Sequence, residues 1–469
     1  MSCQTRLLAA LLTLTVASAL AQSQQSEPRL LFTGDILVAR QVAAEMRVRK
    51  SSPWAAFAGE FHGSALVGGN FEGAIGAGCA QAAGPCFAAD ESSAGLLRDA
   101  GFTLVTAENN HAGDLGADGR DRTRAAFHSA GLPAIDFDHS PVFVRAGAAT
   151  VAIIAVSLIP AADGRVEEIP SVALSQKLRT ARLLANLVVV SIHWGNELQD
   201  WPSESQQEAA RWLVAHGADL IVGHHPHVTQ AAACVAGRPV FYSLGNHIFD
   251  QKYPETKQGL IADCRISGDS LHCGALRTET PRGSSYPALA GRDHASDETL
   301  AACTPALSAG LVLNETTIKP AVWSADTPPE GIVLEGWRNG ALAWRSRRQQ
   351  LLSLQFTRAL ASEPLLFAIE RHPSSIDNET SPRPYIYAIG PGGLIARWRG
   401  SALAWPLIDA IVPDAVKSGT GILCALYRGD SFLLPDAKST ATRLAAYRWN
   451  GFGFTGIPTQ PECNQAFDK

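Results

Sequence analysis

With 469 residues, 46% of them hydrophobic, the chain has apolar material for two or three packed domains. A formal net charge of -5 and the lack of a basic patch argue against a phosphate-backbone binder, so nucleic acid is not an expected partner.

Residues 1–21 read as a secretory signal. A single charge at Arg6 precedes an apolar run from Leu7 to Leu20, short for a membrane span of about 20 residues, and Ala19-Leu20-Ala21 supplies a small-residue cleavage site. The expected location is periplasmic or extracellular. Losing Cys3 from nine cysteines leaves eight, an even number suited to disulfides in an oxidising compartment. Cys79 and Cys86 flank a Gly/Ala/Pro loop, Cys264 and Cys273 flank a turn at Ser267-Gly268-Asp269, and Cys424 could reach Cys463 across the C-terminal region. Cys234 and Cys303 remain as a fourth pair, although spacing alone leaves the connectivity open, and Cys-x-x-Cys spacing is missing throughout.

From Arg29 to about Cys273 short apolar runs alternate with helical stretches. Leu30–Thr33 is a strand ending at Gly34-Asp35, Val38–Arg49 is helical, and Leu66–Val67 leads into Gly69-Asn70-Phe71-Glu72. Ser92–Ala100 is a serine-capped helix closed at Gly101, and Phe102–Thr106 a strand ending at Glu108-Asn109-Asn110-His111. Ala117–Ala130 and Ser171–Leu184 are helical, and Val151–Val156, Leu187–Ile192 and Leu220–Val222 are apolar strands. The last two stop at His193 and at His224, His225 and His227, while Asn246 and His247 follow Tyr242–Leu244. Strands spaced by helices predict a layered α/β domain over 29–275. Residues 276–310 read as a linker or long loop. Residues 311–469 read as a β-rich domain, in which Trp337-Arg-Asn-Gly340, Trp398-Arg-Gly400 and Trp449-Asn-Gly451 each suggest strand, glycine turn, strand in propeller-like units.

Polar residues that end apolar runs are the chemistry of the chain. Asp35, Glu72, Asn110 with His111, His193, His225 with His227, and Asn246 come from six segments, each at the strand end where open α/β sheets place ligands. Carboxylate, carboxamide and imidazole groups in that number fit two divalent cations, Mn, Zn or Fe, that would polarise a phosphoryl oxygen and acidify water. His111 is placed as a general acid, and Arg40, one and a half helical turns beyond Asp35, to hold an anionic substrate.

On these segments the chain resembles a known family. Phe32-Thr-Gly-Asp35 with Arg40, Asn70-Phe-Glu72, Asn109-Asn-His111 followed by Gly116, His193-Trp-Gly195, Gly223-His-His-Pro-His227 and Tyr242-Ser-Leu-Gly-Asn246 are similar to the capsule-synthesis CapA (poly-γ-glutamate synthesis) family, a branch of the calcineurin-like metallophosphoesterases. The resemblance covers residues 30–250 and implies a four-layer α/β/β/α sandwich. It implies Asp35 and His227 on the first metal, Glu72 as the bridging carboxylate, and Asn110, His193 and His225 on the second. Asn246 and His247 are expected at the substrate, and His224 in a supporting role. Leu37 stands where the superfamily commonly has a histidine, which leaves one cation site a ligand short, and His247 stands where the family pattern has an aromatic. Expected substrates are an anionic envelope polymer or a phosphoester, with capsule-synthesis proteins as partners. Three functions compete: a secreted metal-dependent hydrolase, a non-catalytic polymer-binding or scaffold component of a capsule assembly or export complex, and, third, a carbohydrate- or peptide-binding protein whose working face is the Trp-rich C-terminal region.

Overall fold

The computed structural model describes residues 27–80, 84–326, 331–373, 379–400, 406–413, 421–430, 436 and 438–467. The signal-like segment 1–21 lies outside the described residues. In chain order, β1 (Arg29–Ile36), α1 (Arg40–Arg49), α2 (Ala58–His62) and β2 (Leu66–Phe71) precede the short β3 (Ala74–Ile75) and β4 (Ala88–Ala89). Next come α3 (Ser92–Ala100), β5 (Val105–Thr106), α4 (Ala117–Ser129), β6 (Ala134–Ile135), β7 (Val142–Ala146) and β8 (Ala149–Ser157). They are followed by α5 (Val172–Leu184), β9 (Leu187–His193), α6 (Glu204–Ala215), β10 (Leu220–His224), β11 (Thr229–Val235), β12 (Arg238–Leu244) and β13 (Asn246–Ile248). Helix starts obey local rules: Ser171 caps α5, and Ser203 with Gln206 forms a capping box on α6.

Two sheets carry this region. β14 (Gln258–Ser267), β15 (Ser270–Glu279) and β16 (Ala288–Arg292) complete the first, ordered β16-β15-β14-β1-β2-β5-β6 with β13 beside β1; the second is ordered β11-β12-β10-β9-β8-β7. Their central strands are parallel, so β1, β2 and β5, like β9, β10 and β12, send their C-terminal ends to one edge of each sheet. Strand alternation sorts the side chains. Leu30 and Phe32 of β1 meet Val189 of β9 and Val222 of β10 in a core shared by the two sheets. Leu31 turns the other way, onto Val42 of α1, Leu97 of α3 and Phe127 of α4. Val188, Val190 and Ile192 likewise face Leu178 of α5 and Leu213 of α6. Burial on both faces explains why these strands read as unbroken apolar runs.

Residues 276–310, expected as a linker, instead hold the end of β15, all of β16 and α7 (His294–Leu300), and Cys303 is joined to Cys234. The segment looked unstructured because β16 is exposed along most of its length and shows little apolar periodicity. The other three disulfides are Cys79–Cys86, Cys264–Cys273 and Cys424–Cys463, so the connectivity that spacing left open is settled as these four pairs. Cys264 and Cys273 lie directly opposite each other across β14 and β15.

Beyond residue 310 the chain builds three successive four-stranded antiparallel sheets, spanning residues 311–345, 351–399 and 407–457. Trp337 and Trp449 stand at or near the end of the third strand of their sheets, before glycine-containing hairpins, as expected. Trp398 does not: it lies in the last strand of the middle sheet, whose hairpin is closed where Gly390 pairs with Gly393. This β-rich region packs on α5, where Gln176 and Arg179 both bond Asp409 (2.9 and 2.8 Å) and the Thr180 hydroxyl accepts from Leu354 N (3.0 Å). Among the described residues no helix is long and apolar enough to cross a membrane.

Candidate metal centre

Strand register brings the site together. Asp35 at the end of β1 is flanked by Asn70 on β2 and Asn246 on β13, and in the second sheet His193 stands beside His224. The approach of β1 to the 245 turn is so close that a Cβ at Gly34 would lie 2.0 Å from the Gly245 carbonyl oxygen, so only glycine fits there.

Asp35, Glu72 and His227, all buried, each offer a ligand atom within 4.8 Å of the others. Asp35 Oδ1 accepts from Asn70 Nδ2 (2.9 Å) and Oδ2 from the backbone N–H of His225 (3.3 Å). His227 Nδ1 lies 3.3 Å from Asp35 Oδ2, and His224 Nδ1 lies 3.2 Å from Oδ1 without hydrogen-bond geometry. Burial opposes the charge on Asp35, but the histidines outweigh it and hold the carboxyl well below the ordinary range. Glu72 is the opposite case. Neither carboxylate oxygen has a hydrogen-bond partner, the His227 Nε2 is 3.6 Å away, and burial pushes the carboxyl well up. His227, despite burial, is raised to about 9 by Glu72 and Asp35.

A second group adjoins the first. His193 Nε2 is 2.8 Å from Asn110 Oδ1 and 3.1 Å from His225 Nδ1. Burial, reinforced by the neighbouring imidazole, drives His193 well below its usual value and takes His225 to about 4, so both rings are neutral at pH 7 with lone pairs to offer. His225 (φ +98°) and His227 (φ +59°) hold left-handed backbone conformations that cost about 1–3 kcal/mol each. The turn keeps that shape because Asp35 accepts from His225 N and Pro226 O from Leu198 N (2.8 Å).

The Asp35, Glu72 and His227 set fits a cation: a fully buried carboxylate without a donor is a costly arrangement that a divalent ion would resolve.

His111 is held by groups outside the two clusters. Its ring stacks on Phe87 (centroids 3.6 Å apart) and its Nδ1 is 2.8 Å from Asp114 Oδ2, which also accepts from Phe87 N (2.7 Å). The Arg40 guanidinium lies over the same Phe87 ring (4.9 Å) and pairs with Asp250 (3.1 Å), with its side chain 44% exposed.

Asn246 reaches the site through His227, whose Nδ1 is 2.9 Å from Asn246 Oδ1, while its amide nitrogen donates to Gln251 Oε1 (2.8 Å). His247 does not reach it. Next to Asn246 on the same strand it must face the opposite side, and its ring is 1% exposed among Phe57, Phe61 and Phe102. The expectation that His247 lines the substrate cleft is therefore corrected. Three residues not placed in the site from sequence belong to it. Asn70 bonds Asp35 and accepts from Asn109 Nδ2 (3.0 Å), Asn109 Oδ1 accepts from His111 N (3.1 Å), and Asp114 orients His111. All three lie within a few residues of an assigned one, which was the available signal.

Buried histidines, carboxylates and carboxamides at the strand ends of two packed sheets define the metallophosphoesterase-like class of protein. Residues 29–251 match the family described as "Bacterial capsule synthesis protein PGA_cap". Over this segment the chain is similar to the CapA capsule-synthesis family. It is 31% identical over 195 residues to "Capsule biosynthesis protein CapA" of Bacillus anthracis (38% of this chain, 47% of that protein). It is 29% identical over 192 residues to "PGA biosynthesis protein CapA" of Bacillus subtilis strain 168 (38% of this chain, 50% of that protein). A shorter stretch of 58 residues is 41% identical to "Uncharacterized protein y4sH" of Sinorhizobium fredii, 12% of each chain. The chain thus spans about half the length of the two CapA relatives it matches.

Proposed function

We propose that the chain is an exported CapA-like protein of capsule or envelope-polymer biosynthesis whose strand-end pocket is a hydrolase site for two divalent cations. The observation that carries this reading is Glu72, a buried carboxylate with both oxygens unbonded beside Asp35 and His227. Asp35 and His227 would hold the first cation, Asn110, His193 and His225 the second, with Glu72 shared. Bound there, such a pair polarises a phosphoryl oxygen and acidifies water. His111, its Nδ1 held by Asp114, carries on Nε2 the proton for the leaving oxygen, and Arg40 holds an anionic group of the substrate. The substrate is a phosphoester or an anionic envelope polymer, and capsule-synthesis proteins are the partners. The two-sheet core flanked by helices supports a four-layer α/β/β/α sandwich over 29–275, with 311–469 as a second, β-rich domain. Four disulfides support a periplasmic or extracellular location, reached by the leader at 1–21.

One observation favours the competing role of a non-catalytic polymer-binding or scaffold component. Leu37, 1% exposed, occupies the place of a common superfamily ligand and packs with Phe87 and Phe249. Elemental analysis of the purified mature chain separates the two. The hydrolase reading expects near-stoichiometric Mn, Zn or Fe that drops in His193→Ala; under a tenth of an equivalent, unchanged by that substitution, rejects it.

A further inference from the structure

The loop between β9 and α6 carries chemistry the metal pocket does not use. It runs from His193 through Trp194-Gly-Asn-Glu-Leu-Gln-Asp-Trp201 to Ser203, and it borders the pocket directly. Leu198 N donates to Pro226 O, between His225 and His227, and the charge of Glu197 is felt by both Glu72 and His227. The loop is held in shape. The amide of Gln230, itself 2% exposed, donates to the carbonyls of Gln199 (2.9 Å) and Trp201 (3.2 Å) and accepts from the buried Gln206 Nε2 (2.9 Å). A Cβ at Gly195 would sit 2.7 Å from the Gln206 side chain, so the backbone is pressed against this staple. Yet the side chains face out: Trp201 is 73% exposed, Leu198 43%, and Asn196, Glu197, Gln199 and Asp200 are exposed as well. A large aromatic fixed in water loses the burial it would gain against a ligand.

What lies on it follows from the groups around it. The loop has no cation, two carboxylates and two carboxamides, so a polyanionic strand would meet like charge. An indole face flanked by hydrogen-bond acceptors and amides suits a uncharged, hydroxyl-bearing ring: the C–H face stacks on the indole and the hydroxyls bond the acids and amides. We propose that Trp201 is the platform on which a neutral glycan unit of the substrate stacks at the mouth of the pocket, and that Gln230 is its positioning residue. This deepens the proposed hydrolase reading and rests on it for the word substrate: the reacting ester lies in the pocket and the sugar on the loop.

The test uses the full mature chain stripped of metal with EDTA, so that it does not depend on the pocket being loaded. Binding of hexamers of N-acetylglucosamine, cellobiose-type glucan and maltose-type glucan, and of a γ-glutamate oligomer, is followed by titration calorimetry. At least one neutral hexamer binds, Trp201→Ala weakens it at least tenfold, Trp201→Phe restores most of the affinity, and Gln230→Ala weakens it without removing the exposed indole. Thermal unfolding of the variants shows that the fold is retained. Failure of all three neutral hexamers to bind, equal binding by Trp201→Ala, or a Trp201-dependent preference for the γ-glutamate oligomer overturns the proposal. If glycan binding depends on Trp201 but elemental analysis finds no metal, the hydrolase reading falls and the platform stands.

Discussion

His247→Phe is expected to stabilise this protein, and by an amount that depends on pH. Both ring nitrogens of His247 are buried without a partner and Phe57 is the nearest ring (4.9 Å). Leaving a buried polar group unsatisfied costs about 1–3 kcal/mol. Phenylalanine removes that penalty, less up to about 1 kcal/mol for its slightly larger ring in a packed nest, so the net gain at pH 7.5 is between about 0 and 3 kcal/mol. Each kcal/mol is worth about 2–4 °C in Tm for a domain of this size. The pH dependence is the sharper signature. Burial lowers the folded pKa of His247 to about 3, below the unfolded value of 6.5. Between those values the unfolded chain binds the extra proton, so wild-type stability falls as pH is lowered, by about 1.4 kcal/mol per unit. At pH 5 the variant should lead by about a further 2 kcal/mol. Thermal unfolding of both proteins at pH 7.5 and pH 5 measures the two differences. A variant less stable at pH 7.5, or an advantage that does not grow at pH 5, would refute the placement of His247 in an apolar core.

Three other perturbations probe the site and its frame. Asp114→Asn should cut turnover of an aryl phosphodiester about 10–100-fold with metal content intact, because His111 loses the carboxylate that orients it; steady-state kinetics with elemental analysis on the same sample measure both. Excess Mn or Zn at about 100 times its Kd should stabilise the wild type by about 2.7 kcal/mol, and Glu72→Gln should abolish most of this shift in thermal unfolding with and without EDTA. Asp263 lies between Arg29 (2.7 Å) and Arg292 (2.8 Å), and although burial opposes its charge the two guanidinium groups hold its carboxyl below the ordinary range. A depressed carboxylate pKa contributes stability that is present above the unfolded value and lost as pH falls through the folded one. Asp263→Asn should therefore cost about 1–3 kcal/mol at pH 7, and the gap to wild type should close below about pH 4, as read from Tm between pH 7 and 3.

What could be read in the sequence was whatever depends on neighbours along the chain. Apolar runs of strand length ending in histidine or a carboxylate gave β1, β9 and β10 with Asp35, His193 and His224 at their ends, because a buried parallel strand is apolar throughout and releases polar side chains only at its edge. Short spacing suggested Cys79–Cys86 and Cys264–Cys273 for the same local reason, while Cys234–Cys303, 69 residues apart, followed only as the remaining pair. What only the tertiary structure decided was direction and company. Asn246 and His247 are equally polar neighbours, and strand register alone sends one to His227 and the other into a nest of phenylalanines. Asn70 and Asn109 join the site through hydrogen bonds to segments distant in sequence, and β16 with α7 is held where the sequence shows little periodicity by packing on β15 and by Cys303. Which of several eligible groups lose water together is settled when the two sheets close on each other, and no local pattern encodes that choice.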